Sequence, residues 1–165
     1  MLSQATGASS ITDEMMKARE ILLPAVAVIL TLVMIAGFEL PAAEPGPVDI
    51  DAPNKFTKTD SGLAYRIRRR SAGRKPGSRD SVTVHYKGWL DDGTEFDSSY
   101  TRGEPATFKL NQVVKGWTEG MQYIGEGGMI ELEVPADLGY GDKGAGKNVP
   151  PGAMLHFLVE LVSVN

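Results

Sequence analysis

Three stretches of this chain alternate apolar and polar residues with a period of two. Val82, Val84 and Tyr86 form the first, Ile130, Leu132 and Val134 the second, and Leu155, Phe157, Val159 and Leu161 the third. Neighbouring side chains on a strand leave by opposite faces, so this pattern demands strands with one buried and one wetted face. A helix would scatter the same apolar residues around its circumference. Asp91-Asp92-Gly93 supplies a hairpin turn signal between two such segments. One short helix is convincing, near 115–123 (KGWTEGMQY), where Trp117, Met121 and Gly120 share a side. Antiparallel strands covered on one face by a single helix give an α+β domain, expected over residues 55–165.

The 165 residues leave room for that domain and an N-terminal extension. From Ile21 to Phe38 the extension carries no charge. At about 1.5 Å per residue a helix of that length spans roughly 27 Å, close to a bilayer's hydrocarbon core. Pro24 sits in its first turn, where the missing N–H costs little. Lys17 and Arg19 precede the run and no Lys or Arg follows before Lys55, so the positive-inside rule keeps the N-terminus cytoplasmic and exports the rest. The organisation expected is a cytoplasmic tail (1–20), a transmembrane anchor or signal segment (21–40), a proline-rich acidic linker (41–54) and the domain. Run length and the acids Asp13 and Glu14 favour an uncleaved anchor. Pro41-Ala42-Ala43, together with a start at Met15 or Met16, would suit a cleaved signal peptide.

Composition removes several kinds of chemistry. Without cysteine there is no disulfide, thiolate nucleophile or cysteine-based zinc site, and two histidines make a poor metal set. A net charge of −4 exerts no general pull on nucleic acid. Seven of the 17 Lys and Arg residues fall in 65–80 (YRIRRRSAGRKPGSRD), which reads as a solvated basic hairpin whose charge discourages edge pairing. The glycine-rich 141–152 lacks the G-x-x-x-x-G-K-[ST] pattern of a phosphate loop and leads into a strand, as a flap beside a pocket would. His85 with Ser98 or Ser99 and an aspartate lacks the nucleophile elbow of a hydrolase triad.

Four segments gather the remaining aromatic and polar residues: VTVHYKGWLDDGTEFDSS at 82–99, VVKGW at 113–117, VPADLGYGDKG at 134–144 and VPPGAMLHFLVEL at 149–161. They supply Tyr86, Phe96, Asp97, Trp117, Tyr140 and Phe157: an aromatic bowl with one carboxylate and a phenol, suited to holding an apolar ring. Taken singly, each aromatic is ordinary core filler and Asp97 an ordinary turn acid. Their joint occurrence in this order is what carries weight.

The order, spacing and wording of these segments resemble the FKBP family of peptidyl-prolyl cis–trans isomerases, from Asn54 to Asn165. The resemblance implies a curved antiparallel sheet wrapped on a short helix. It also implies a non-covalent isomerase of X-Pro bonds that needs no cofactor or metal. It assigns Trp117 as the pocket floor, and Phe96, Tyr86 and Phe157 as walls, with Val113 also among the pocket residues. Tyr140 would donate to a substrate carbonyl, and the Val114 N–H would hold the peptide. Asp97, supported by Arg102, would stabilise the twisted amide or fix Tyr86. Expected partners are proline-containing clients and, by resemblance, macrolide inhibitors. The family's rim aromatic is replaced by Ala106, and its alanine before Tyr140 by Gly139; both loosen the rim, so macrolide affinity is expected to be weakened more than catalysis. Relatives of the macrophage-infectivity-potentiator type carry a helical dimerisation region; the residues ahead of 55 leave no room for one, so a monomer is expected. The expected location is a bacterial inner membrane, single-pass, with the domain in the periplasm; signal cleavage would make it periplasmic or secreted. The competing class is a non-catalytic proline-peptide-binding or chaperone module on the same fold.

Overall fold

Among the described residues seven strands make up one antiparallel sheet: β1 (Thr57–Lys58), β2 (Ala64–Arg69), β3 (Ser81–Trp89), β4 (Glu95–Ser98), β5 (Ala106–Lys109), β6 (Met129–Val134) and β7 (Leu155–Val164). A one-turn helix α1 (Ser99–Arg102) separates β4 from β5, and α2 (Lys115–Gly120) lies between β5 and β6. This computed structural model describes residues 43–165; the expected tail and transmembrane segment lie outside the described residues. Among the described residues no helix is long and apolar enough to cross a membrane.

The strand order is β1-β2-β6-β7-β3-β4, with β5 sharing the β3 edge with β4. Period-two patterning maps directly onto burial. Val82, Val84 and Tyr86 of β3, Ile130, Leu132 and Val134 of β6, and Leu155, Phe157, Val159 and Leu161 of β7 are all buried, and the residues between them are not. In β7 the alternation breaks after exposed Val162, the extra residue where the β3–β7 register skips; beyond it Val164 is buried in place of Ser163. That extra residue is a β-bulge, which bends a strand and increases its twist.

The buried face packs on α2, which contributes Trp117, and on Met121 and Ile124 just beyond it. The helix covers Lys115–Gly120 and tightens to a 3-10 turn over Met121–Tyr123, so the expected 115–123 helix is real but changes pitch at Met121. Gly116 and Gly120 face the sheet. A Cβ on either would come within 2.6 Å of a Val134 methyl or 2.7 Å of a Leu132 methyl. The helix therefore lies closer to β6 than any side chain at those positions would permit.

The basic run is not a hairpin. β2 pairs with β1 and β6, whereas β3 pairs with β7, β4 and β5, so Arg70 to Asp80 is a crossover between opposite parts of the sheet. Nor are its first charges solvated. Arg66 bridges Glu131 at 2.8 Å and Arg69 bridges Glu160 at 2.7 Å, all with mostly covered side chains. The Asp91–Gly93 signal does form the β3–β4 hairpin: Leu90 donates to Thr94 and Gly93, at φ +84°, donates back to Leu90.

Candidate functional site

Trp117 fixes the geometry of the site. Three rings stand nearly perpendicular to its indole: Tyr86 at 5.2 Å between centroids, Phe157 at 5.3 Å and Phe108 at 5.6 Å. Phe96 meets Phe157 edge-on at 5.5 Å. Edge-to-face contacts of this kind are favoured by ring quadrupoles, so the box is rigid as well as apolar. It encloses about 260 Å³ lined by Tyr86, Phe96, Asp97, Phe108, Gln112, Val113, Val114, Trp117, Tyr140 and Phe157.

Each wall is placed by a local device. Gly88, the residue of β3 opposite Asp97, has no side chain; a Cβ there would lie 2.6 Å from the Phe96 ring and 2.9 Å from that of Phe157. The two rings occupy the space that any other residue would fill. Ser98 caps α1 by accepting from Thr101 N–H, and Gly103 ends it at φ +77°. That single turn reverses the chain and brings Arg102 back to Asp97. The β3 edge is free between its pairings with β4 and β5, and Ser99 fills the gap: its Oγ accepts from Tyr86 N–H at 2.8 Å and lies 3.3 Å from Tyr86 C=O.

The polar groups form one cluster. Tyr86 donates its hydroxyl to Asp97 Oδ2, and Arg102 donates through Nη1 to Asp97 Oδ1 at 2.5 Å and through Nη2 to the Tyr86 oxygen at 3.0 Å. Both carboxylate oxygens are thus engaged. Burial, reinforced by the bond to Asp97, pushes the Tyr86 hydroxyl up to about 12, so it stays a donor at any physiological pH. Tyr140 is raised first by burial and then by the Asp97 charge. Its hydroxyl meets no acceptor among the described residues, and neither does the backbone N–H of Val114, just ahead of α2. The Trp117 indole N–H is buried and likewise unpaired among them.

Eight of the nine expected site residues line this one cavity; Arg102 stands behind it, bonded to Asp97 and Tyr86. Phe108 and Gln112 were not anticipated. For Phe108 a signal existed, since Ala106, Phe108 and Leu110 alternate with Thr107 and Lys109. Gln112 follows from a 3-10 turn over Leu110–Gln112, anchored by buried Leu110, whose carbonyl accepts from Thr118. Ala106 packs against the core and does not line the cavity. His85 does approach Ser99, at 3.2 Å, but Ser99 is fully buried and committed to the Tyr86 backbone, so the pair offers no exposed nucleophile. No cluster of metal-ligating side chains exists among the described residues.

Comparison with known proteins bears on the same region. Residues 72–162 match the family FKBP-type peptidyl-prolyl cis-trans isomerase. The chain is 51% identical over 106 residues to the FKBP-type peptidyl-prolyl cis-trans isomerase FkpA of Aeromonas hydrophila, covering 64% of this chain and 39% of that protein. It is 48% identical over 114 residues to FkpA of Escherichia coli strain K12, covering 68% and 42%. A crystal structure of a peptidyl-prolyl cis-trans isomerase from Pseudomonas syringae pv. tomato superposes with a TM-score of 0.63 at 33% identity, over 68% of this chain and 83% of that one. The chain thus spans about two-fifths of the length of the curated relatives it matches.

Proposed function

This chain belongs to the FKBP-type peptidyl-prolyl cis-trans isomerase family, and from that premise we propose that it accelerates rotation about X-Pro bonds in proteins during folding. The observation that carries the reading is an apolar aromatic box lined also by two donors without an acceptor among the described residues, the Tyr140 hydroxyl and the Val114 N–H. At about 260 Å³ the cavity falls below the roughly 300–1,000 Å³ of drug-sized ligand sites, which suits a five-membered ring and its amide.

An X-Pro bond is nearly balanced between cis and trans but rotates over a barrier of about 18–20 kcal/mol, because the planar amide is resonance-stabilised. Rotation makes and breaks no covalent bond, so the site has only to bind the twisted amide better than either planar form. The proline ring seats against Trp117 between Phe96, Tyr86 and Phe157. The apolar walls withdraw water from the carbonyl, whose polarity falls as the amide twists. Tyr140 donates to a substrate carbonyl and Val114 N–H holds the peptide on the other side. Asp97, fixed by Arg102 and Tyr86, provides a negative charge beside the carbonyl carbon, and preorganised charges of this kind cost no rearrangement at the moment of reaction.

A proline-binding module without catalysis would need the walls and not these polar groups, and that separates the two readings. Asp97→Asn and Tyr140→Phe should each lower kcat/KM on a prolyl peptide at least tenfold while Tm moves by only a few degrees. Parental kcat/KM in both variants would remove the assignment. The clients are exported polypeptides in this reading, the domain facing the periplasm from a single inner-membrane anchor or after signal cleavage. Support comes from the uncharged run at 21–38 and the Lys and Arg that precede it. An alkaline-phosphatase fusion after Pro53 that stays inactive in export-competent cells would overturn that placement.

A further inference from the structure

On the sheet's outer face, away from the pocket, the segment 46–54 makes a series of contacts that its composition explains. β1 covers β2 only at Ala64 and Tyr65, so that among the described residues the edge from Arg66 onward has no strand partner. Asp49 takes that place: its N–H donates to the Arg68 carbonyl at 2.8 Å, and its Oδ2 accepts from the Arg70 N–H at 2.8 Å. The segment contains Pro47 and Pro53, which lack an N–H, so it cannot form a full ladder. Arginine guanidinium groups supply donors to its carbonyls instead. Arg69 Nη1 reaches the Pro47 carbonyl at 3.1 Å, Arg68 Nη1 that of Pro53 at 3.2 Å and Arg66 Nη1 that of Asn54 at 2.7 Å.

Two acids add charge to this shape. A turn closed by the Ala52 N–H donating to the Asp49 carbonyl at 3.0 Å folds the chain between the two acids, and Asp49 and Asp51 both meet Arg70, at 3.6 Å and 2.8 Å. Arg70, by hydrogen bond and charge, holds the Asp51 carboxyl below its ordinary value. At the segment's start Gly46 donates to Glu160 at 2.8 Å, and a Cβ there would lie 2.8 Å from Arg69 Nη1. The strand thus presents a row of fork donors to a segment that offers its carbonyls, turns once at 49–52 and carries an acid on each side of Ile50.

We propose that the β2 edge from Arg66 to Arg70 is a binding site for an acidic, proline-containing peptide that turns between its two acids, filled in this chain by its own residues 46–54. The segment is a strap that closes an open sheet edge, where an unpaired strand would otherwise be a template for other chains. The inference rests on the strap's contacts alone and is independent of the isomerase reading.

The test uses the full chain with Asp49→Lys and Asp51→Lys together, and a labelled synthetic peptide of residues 43–54 as probe. Hydrogen exchange at the Arg70 amide should speed at least tenfold in the variant, with the rest of the domain's amide spectrum unchanged. The variant should bind the peptide saturably and more weakly as salt is raised, while the parent, its site filled, binds at least tenfold less tightly. Added peptide should restore the slow exchange at Arg70. An Arg70→Glu variant should show the fast exchange and bind no peptide, which separates loss of the receptor from loss of the strap. Unchanged exchange at Arg70 in the double variant, equal peptide binding by parent and variant, or no binding to either would overturn the proposal.

Discussion

Gly88 shows how one absent side chain shapes the pocket. Its place on β3 is where the rings of Phe96 and Phe157 lie over the strand, and a Cβ there would be 2.6 Å and 2.9 Å from them. Phe157 cannot retreat far, because it is buried and packed edge-on against Trp117. In Gly88→Ala the rings should shift into the cavity. Overpacking of this kind costs about 1–3 kcal/mol, and the loss should fall on the site: kcat/KM down roughly tenfold, a barrier change of about 1.4 kcal/mol. Adding Phe96→Leu to the same chain should recover part of the activity by making room. Parental kcat/KM in Gly88→Ala, or no recovery in the double variant, would show that the ring positions do not matter. Nothing about Gly88 in the linear sequence distinguishes it from a residue that merely weakens a strand. The residues it makes room for were legible because aromatics announce themselves; the vacancy between them is a property of three strands at once.

Between elements, the contact that matters most is α2 on β6. Alanine is favoured over glycine in a helix by about 1 kcal/mol, so propensity alone says Gly116→Ala should stabilise. The structure says otherwise. The added Cβ would lie 2.6 Å from Val134 Cγ1, on a β-branched side chain with little rotamer freedom. We expect a net loss of about 1–2 kcal/mol, read from urea midpoints. Val134→Ala in the same chain should cost less than the two single changes added together. A stabilised Gly116→Ala would mean the helix rides higher than described. The strap has the same lesson. The prolines and acids of 46–54 read as a linker, and the arginines of 66–70 as part of a solvated hairpin; that each is the other's partner depended on β2 lying at the sheet's edge. Separated charges in sequence look solvated until topology brings opposite signs together.

At the scale of the whole molecule, the Glu160 carboxylate ties the strap, β2, β7 and α1 together through Gly46, Arg69 and Tyr100. Burial alone would raise its pKa. The hydrogen bonds from Tyr100, Gly46 and Arg69 outweigh that and hold it below its ordinary value of 4.5. A carboxyl depressed on folding contributes stability in full above its unfolded pKa, and the contribution is lost as pH falls through the folded value. The Tm gap between the parent and Glu160→Gln should therefore be widest near neutrality and narrow on acidification below about pH 4.5. A gap that does not change between pH 7 and pH 3 would remove Glu160 from the acid-sensitive groups.

Sequence by itself determined the buried face of β3, β6 and most of β7, because a period of two leaves only one way to bury Val, Ile and Phe, and it named all but one of the cavity's rings and its carboxylate through their joint occurrence. It also placed the hairpin turn, where Gly93 was free to take positive φ. Tertiary structure alone decided which strands are neighbours, and hence that the basic run crosses the fold as no hairpin does. It decided that Ser99 stands in for a missing strand partner, that Phe108 joins the box, and that glycines at 88, 116 and 120 are spaces other side chains occupy. Pattern along a chain records which side of a residue is dry. What lies on that side is set by residues distant in sequence, and only close packing in three dimensions chooses among them.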